Sequence, residues 1–328
     1  MQIDFDNLLM LAPLAGYTDL PFRKVVKKFG VDVTVSEMIS SHALVYANQK
    51  TLKMVQKSPA EYPYSVQISG SKEDILKRAV EVLNEEEGID IIDFNCGCPA
   101  PKVANHGNGS GLLKDLSQLV KMLKIIKETT NKPYTSVKVR LGFDKKIPNE
   151  IASALNDAPV DFVVVHGRTR NDGYKKDRID YQSIAQMRKI LKIPLVANGE
   201  IDSAKKAKKV LEITGANGLM IGRAALSSPW IFWQIKNNTD AIPVVIKKEL
   251  VLEHFDAMVD FYGERGVVMF RKNLHAYAKG HSNASEFRTR VNAMVSSEQM
   301  REEIGNFFDE GIFETDLPLL VELNKKSV

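Results

Sequence analysis

Two cysteines, Cys96 and Cys98, stand in the run Asn95-Cys96-Gly97-Cys98-Pro99, and the chain has no others. A separation of two positions is poor geometry for a disulfide, and a lone pair leaves a metal site short of soft ligands. Free thiols in a reducing compartment are therefore expected, and no metal. A buried inert thiol is the ordinary fate of a cysteine. At Cys98, however, Gly97 and Pro99 make a rigid turn at a predicted strand end, which would present the thiol to a site. A thiol with an ordinary pKa near about 8.5 is mostly protonated at neutral pH and can act as an acid.

Other residues offer matching chemistry. Lys138 lies inside the predicted strand Ser136-Val137-Lys138-Val139-Arg140. Alternation puts Lys138 and Arg140 on one face, and a cation between valines calls for an anionic partner. Asn198-Gly199-Glu200 and Gly222-Arg223 follow two adjacent predicted strands. There, glycine backbone N–H groups and a guanidinium suit a phosphate. His166 opens the run His166-Gly167-Arg168-Thr169-Arg170 at a strand end, and Gln67 is a neutral donor and acceptor fit for the edge of a heterocycle.

The elements that must bring these residues together are short β-rich runs separated by amphipathic stretches. The expected strands are Leu8 to Ala12, Val31 to Ser36, Tyr64 to Ile68, Ile89 to Phe94, Ser136 to Arg140, Phe162 to Val165, Leu195 to Ala197 and Gly218 to Ile221. Eight parallel strands with intervening helices close a (β/α)8 TIM barrel, whereas open doubly wound sheets more often have about five or six strands. Pro13, Glu37, Gln67, Asn95, Arg140, His166, Asn198 and Gly222 fall at the C-terminal strand ends, so a barrel would gather them around one mouth. Ser71, with Glu73 and Asp74, opens a helix over 75–84; Gly30, Gly88 and Gly215 close helices before the next strands.

After about residue 240 the β-runs stop. Lys247 to Tyr262 is an amphipathic helix with Leu250, His254, Ala257, Met258 and Phe261 on one face; further helices are expected over 267–279, 285–294 and 297–308. The fold class expected is thus an α/β barrel over 1–240, an all-α helical bundle over 241–313 and a loose tail over 314–328. A hydrophobic content of 44% supports a sizeable core. No apolar run approaches the roughly 20 residues of a membrane span, and the acidic N-terminus is unlike a signal peptide, so a cytoplasmic protein is expected. The net charge of +4 does not by itself point to nucleic acid. Its distribution is more informative, because Arg265, Arg271, Lys272, Lys279, Arg288 and Arg290 face the single anion Glu286 between 265 and 290.

Taken in order, seven motifs resemble those of the bacterial tRNA-dihydrouridine synthases: 12–19 with Pro21-Phe22-Arg23, Gln67-Ile68, Asn95-Cys96-Gly97-Cys98-Pro99, 137–142, His166-Gly167-Arg168-Thr169, Asn198-Gly199-Glu200-Ile201 and Ile221-Gly222-Arg223-Ala224. Phe270-Arg271-Lys272 through Tyr277 and Lys279-Gly280 is similar to the helical domain of the family's B-type branch, so the likeness covers nearly the whole chain. Leu14 stands where the family more often has methionine and Glu200 where aspartate is common. Asn108 and Gly111 replace the family's commoner small residues after the cysteine motif, and His275 and Ala276 also depart from the pattern.

The resemblance implies a barrel holding FMN, which NADPH reduces and which in turn reduces a uridine in tRNA. It places Pro13, Leu14 and Ala15 along the flavin ring, Gln67 and Lys138 at its polar edge, and His166 beside it. Asn198, Gly199, Glu200, Gly222 and Arg223 would hold the phosphate. Asn95 would position the target base, Cys98 would donate the proton, and Arg140, Arg168, Arg271 and Lys272 would meet the RNA. A monomer is expected. One alternative is a dihydroorotate dehydrogenase-like flavin barrel acting on a small pyrimidine, which explains Lys138 and the phosphate site but not the Cys98 motif or the helical module. Another is an inert RNA-binding scaffold, which has no need of Cys98, Lys138 and His166 together.

Overall fold

The computed structural model describes residues 2–46, 49–241 and 247–308. Their strands are β1 (Leu8–Leu11), β2 (Thr34–Val35), β3 (Ile39–Ser40), β4 (Tyr64–Ser69), β5 (Ile91–Cys96), β6 (Tyr134–Arg140), β7 (Phe162–His166), β8 (Leu195–Asn198) and β9 (Gly218–Ile221). Every pairing is parallel, in the order β1-β9-β8-β7-β6-β5-β4-β2. Met10 bridges Val33, and Leu11 N donates to Val33 O at 3.0 Å, which brings the two ends of this order together into a nearly closed (β/α)8 barrel. The expected second strand is shorter than its β-rich run: Asp32 N and Val33 N both donate to Leu9 O, and only Thr34 and Val35 join the ladder with β4. The unforeseen β3 pairs with β4 off the ring.

Alternation along these strands sorts the barrel interior into layers. Ile91, Phe162, Val164, Val196 and Met220 belong to one buried apolar cluster, with Tyr134 packed against it. Because side chains repeat every second residue, Asp93 and Asn95 lie on the same face as Ile91, and Ser136, Lys138 and Arg140 share a face with Tyr134. His166 likewise follows Phe162 and Val164, and Asn198 follows Val196. Apolar residues thus fill the lower barrel, and polar ones crown it at the C-terminal mouth. Cys96 falls on the opposite, helix-facing side of β5 and is fully buried.

Helix ends follow from backbone demands. Gly30, Gly88 and Gly215 take positive φ values of 80°, 75° and 62°, which a residue without Cβ adopts without strain. Ser71 does not cap the next helix as expected. That helix runs Glu73–Asn84 with Lys72 at the N-cap and no side-chain cap, while Ser71 Oγ donates to His106 O at 3.4 Å.

The chain packs as two units. The first comprises Met1–Leu20, Val31–Asp202 and Lys206–Gly222; the second comprises Pro21–Gly30, Ser203–Lys205 and Arg223–Val328, as far as these are described. In the second, Lys247–Tyr262, Arg265–Tyr277, Ala284–Ala293 and Ser297–Phe308 are helices around a core of Val251, Phe255, Phe270, Leu274, Phe287 and Ile304. The first of these helices contacts both the second and the fourth, so its buried stripe is wider than one seam and is rotated from expectation. Leu250, Val251, His254, Phe255 and Met258 are buried, while Ala257 and Phe261 are only half-buried. The tail expected over 314–328 and the end of the helical segment, 309–313, lie outside the described residues. No described helix is long and apolar enough to cross a membrane.

Candidate active site

Cys98 is half-buried, two residues beyond the end of β5. Its turn is tied from both sides. Gly97 N and Cys98 N donate to Asn95 Oδ1 at 3.2 and 2.9 Å, and Ser110 reaches Cys98 O through its N (3.2 Å) and its Oγ (2.8 Å). Gly109 closes over the turn with φ 55°, where a Cβ would lie 3.0 Å from Cys98 Cβ and 3.1 Å from Cys98 O. Gly111, one of the departures from the family pattern, also has a steric reason: a Cβ there would meet Ala104 O at 2.4 Å. Burial, and then the charge of Asp93, pushes the Cys96 thiol well above its ordinary pKa. Of the two sulfurs, therefore, only Cys98 is open to reaction.

Beneath Cys98 lies a chain of buried hydrogen bonds. Asn95 Nδ2 donates to Gln67 Oε1 at 2.7 Å, Gln67 Nε2 to Asp93 Oδ2 at 2.6 Å, and Ser136 Oγ to Asp93 Oδ1 at 2.7 Å. Burial raises the Asp93 carboxyl above the usual carboxylate range, against the lowering effect of its two donors and of Lys138. Lys138 pairs in register with Asn95 on one side and Val164 on the other. Burial lowers its ammonium to about 8, and Arg140 lowers it further, while Asp93 and Cys98 act the other way.

On the far side of Lys138, two arginines organise the mouth. Arg140 is almost fully buried; its Nε donates to Gly97 O at 2.7 Å, and its Nη1 to Thr169 O at 2.8 Å and Gly173 O at 3.0 Å. It thereby braces the Cys98 turn against the loop after β7. Arg168, with no exposed surface, donates from Nη2 to Glu200 Oε1 at 2.7 Å and from Nε to Lys175 O at 2.9 Å, and its Nη1 lies 3.1 Å from His166 Nε2. A guanidinium only donates, so His166 Nε2 accepts and the ring proton sits on Nδ1. Both guanidinium groups therefore bond protein atoms here: Arg140 the carbonyls of the two loops, Arg168 a carbonyl and the side chains of His166 and Glu200.

The remaining expected cofactor residues lie on adjoining strand ends. Pro13 and Leu14 are half-buried and Ala15 is exposed, on a turn in which Tyr17 N and Thr18 N donate to Leu14 O at 2.9 and 3.0 Å. A Cβ on Gly222 would find only Ala12 Cβ at 3.5 Å and Leu14 Cδ2 at 4.0 Å, so Leu14 of the β1 loop neighbours the end of β9. Asn198 Nδ2 donates to Met220 O at 2.7 Å. Gly199 is required by its surroundings: its φ is 125°, and a Cβ would come within 2.4 Å of Ile179 Cδ1 and 2.9 Å of His166 Cδ2. Glu200 has φ 50°, and its carboxylate is held by Arg168, so it can serve an anion only through its backbone. Arg223 opens the helix Arg223–Ser227, which belongs to the second unit.

Nearly the whole chain matches known proteins. A sequence model of the dihydrouridine synthase (Dus) family matches residues 10–312. The chain belongs to the dihydrouridine synthase family. It is 69% identical over 328 residues to a probable tRNA-dihydrouridine synthase of Helicobacter pylori strain 26695, covering 99% of this chain and 100% of the relative. It is 38% identical over 312 residues to tRNA-dihydrouridine synthase B of Vibrio vulnificus strain CMCP6, covering 92% of this chain and 96% of that one. Among solved structures, TcOYE with pHBA shares the barrel fold, with a TM-score of 0.55 at 7% identity over 78% of this chain and 94% of that chain.

In this family member, sequence reasoning missed Asp93, Ser136 and Ser110. Asp93 carried a usable signal, a carboxylate inside the apolar run Ile91-Ile92-Asp93-Phe94 two positions before Asn95. The RNA contacts expected in the helical segment also divide. Arg271 Nη2 donates to Met294 O at 2.6 Å, and its buried Nε has no partner; Arg288 Nη2 donates to His275 O at 3.1 Å; Arg290 pairs with Glu303 at 2.8 Å. Arg271 thus tethers its helix to Met294, while Lys272 is half-buried and Arg265 and Lys279 are exposed.

Proposed function

We propose that this chain reduces the C5–C6 double bond of uridine in tRNA to 5,6-dihydrouridine, using FMN in the barrel mouth and NADPH as reductant, as a cytoplasmic monomer. The reading is supported most by Cys98, a reachable thiol on a doubly anchored turn beside a half-buried lysine. The residues present fit a flavin. The Lys138 ammonium has no hydrogen-bond acceptor among the described residues and suits the electron-rich edge of the ring. Pro13, Leu14 and Ala15 offer an apolar rim, and the gap over Gly222 leaves room beside it. By motif, Gln67 and Lys138 face the polar edge, His166 lies beside the ring, and Asn198, Gly199, the Glu200 backbone, Gly222 and Arg223 take the phosphate.

Bound flavin, once reduced, supplies a hydride to one carbon of the uracil double bond. Cys98 holds a proton on Sγ and delivers it to the other carbon. Asn95 positions the base, and the fixed turn sets the distance that makes delivery productive. A base must leave the RNA stack to reach this mouth, so the tRNA is distorted on binding. The segment 241–313 would be the tRNA-binding domain, gripping phosphates without reading bases. A dihydroorotate dehydrogenase-like reaction leaves that segment and the cysteine motif without a role.

The deciding experiment has two arms. Purified protein should be yellow and release FMN on denaturation. Nucleoside mapping of tRNA from cells lacking the gene should show specific dihydrouridines lost and restored by complementation. Colourless protein that cannot be reconstituted, or unchanged tRNA, would sink the reading.

A further inference from the structure

The hydrogen-bond chain below Cys98 has a direction. A carboxylate can only accept and a backbone N–H can only donate, so Asp93 at one end and the N–H groups of Gly97 and Cys98 at the other force the same order on the amides between them. Gln67 must turn Nε2 toward Asp93 and Oε1 toward Asn95; Asn95 must turn Nδ2 toward Gln67 and Oδ1 toward the turn. Either amide reversed would face donor with donor or acceptor with acceptor in a fully buried layer, which costs more than a missing bond at the surface. Ser136 Oγ, paired in register across β6, holds the second carboxylate oxygen.

We propose that Asp93 is a positioning residue: acting through Gln67 and Asn95, it fixes the turn that carries Cys98 and leaves Asn95 a single unused polar group, one N–H. The count is direct. Asn95 Oδ1 accepts from two backbone N–H groups and one Nδ2 hydrogen goes to Gln67. Asn95 can therefore meet a flat base as a donor only. It complements a carbonyl oxygen of uracil and rejects the ring N–H, and it strengthens its bond as negative charge builds on that oxygen during hydride addition. This inference rests on the reading of the chain as a tRNA uridine reductase.

The test compares wild type with Asp93→Ala, Asp93→Asn and Ser136→Ala as flavin-loaded full chains. Two readouts are taken: hydrogen exchange at the Gly97 and Cys98 amides, and the two half-reactions followed separately by flavin absorbance. Asp93→Ala should speed exchange at both amides, and slow reoxidation of reduced flavin by tRNA, by about tenfold or more, the effect of one lost buried hydrogen bond. Flavin reduction by NADPH should slow clearly less than the tRNA step, since Asp93 reaches the flavin edge only through Gln67 and Lys138 while the tRNA step also needs the Cys98 turn. Asp93→Asn should restore both readouts, because Asn can accept from Gln67 through Oδ1 while its amide donates to Ser136 Oγ. Should Asp93→Ala not fold, Ser136→Ala carries the test, with the same two readouts moved in the same direction by roughly two- to fivefold. Unchanged exchange in the variants, equal loss in Asp93→Asn and Asp93→Ala, or equal slowing of both half-reactions would overturn the proposal. If reduced flavin of the wild type is not reoxidised by tRNA at all, the functional reading fails, while the exchange arm still decides whether Asp93 orders the turn.

Discussion

A proton donor has to be reachable, and its neighbour in sequence need not be. Cys96 is the last residue of β5 and faces the helices; Cys98 stands past the strand end on a turn held by Asn95 and Ser110. The two thiols should therefore separate cleanly on substitution. Cys98→Ala is expected to keep its flavin and to oxidise NADPH while forming less than about one hundredth of the dihydrouridine of wild type, the span that general acid catalysis supplies. Cys96→Ala should keep most activity and lose about 1 kcal/mol of stability from the small cavity it leaves. Nucleoside analysis of tRNA treated with each variant decides it, and full activity in Cys98→Ala would refute the acid role. Cys98 was legible because Gly97 and Pro99 advertise a turn. Asp93, Ser136 and Ser110 were not, because their value lies in partners 26, 43 and 12 residues away that only the closed barrel brings within reach. For the same reason the loop carbonyls that Arg140 and Arg168 hold could not be read from the sequence.

Elements were legible where alternation or amphipathicity ran unbroken. Each of the eight expected strands appears, and the helices Lys247–Tyr262 and Ser297–Phe308 begin and end where the pattern predicts. The errors lie where tertiary partners overrule local pattern. A helix packed between two others buries Val251 and Phe255 rather than Ala257 and Phe261, and Ser71 turns to a loop carbonyl instead of capping. Two consequences can be measured. Gly109→Ala puts a Cβ against Cys98 at a φ that favours glycine, so it should cost about 1–3 kcal/mol and lower activity together with Cys98 alkylation selectivity; denaturant midpoints and alkylation mapping test this. In the helical unit, His254 is fully buried against Phe270 and Tyr277, with Nε2 unpartnered, and burial, helped by Lys272, lowers its pKa to about 3. The unfolded chain therefore binds this proton first as pH falls. Stability from the neutral ring is complete above about 6.5 and declines as pH drops toward 3, by up to roughly a few kcal/mol. His254→Phe should flatten that part of the acid denaturation curve, and an unchanged slope would contradict the burial argument.

At the scale of the whole molecule, a net charge of +4 is small for a protein that holds RNA, so affinity must come from where the cations sit. Of the basic residues between 265 and 290, Arg271 and Arg288 donate to backbone carbonyls and Arg290 is paired with Glu303, which leaves Arg265 and Lys279 exposed and Lys272 half-buried. A cation that tethers a helix and a cation that neutralises a phosphate respond differently to substitution. Arg265→Ala and Lys279→Ala should each reduce the slope of log affinity against log salt by about 1 for tRNA, with the melting temperature unchanged. Arg271→Ala should instead lower the melting temperature, because Met294 O loses its donor, and leave the salt slope close to that of wild type. Binding titrations with unmodified tRNA at four or more salt concentrations, alongside thermal unfolding of the same samples, separate the two classes. An Arg271→Ala protein of wild-type stability with a reduced slope would return Arg271 to the RNA-facing set, and would mean that the bond to Met294 gives way when tRNA binds.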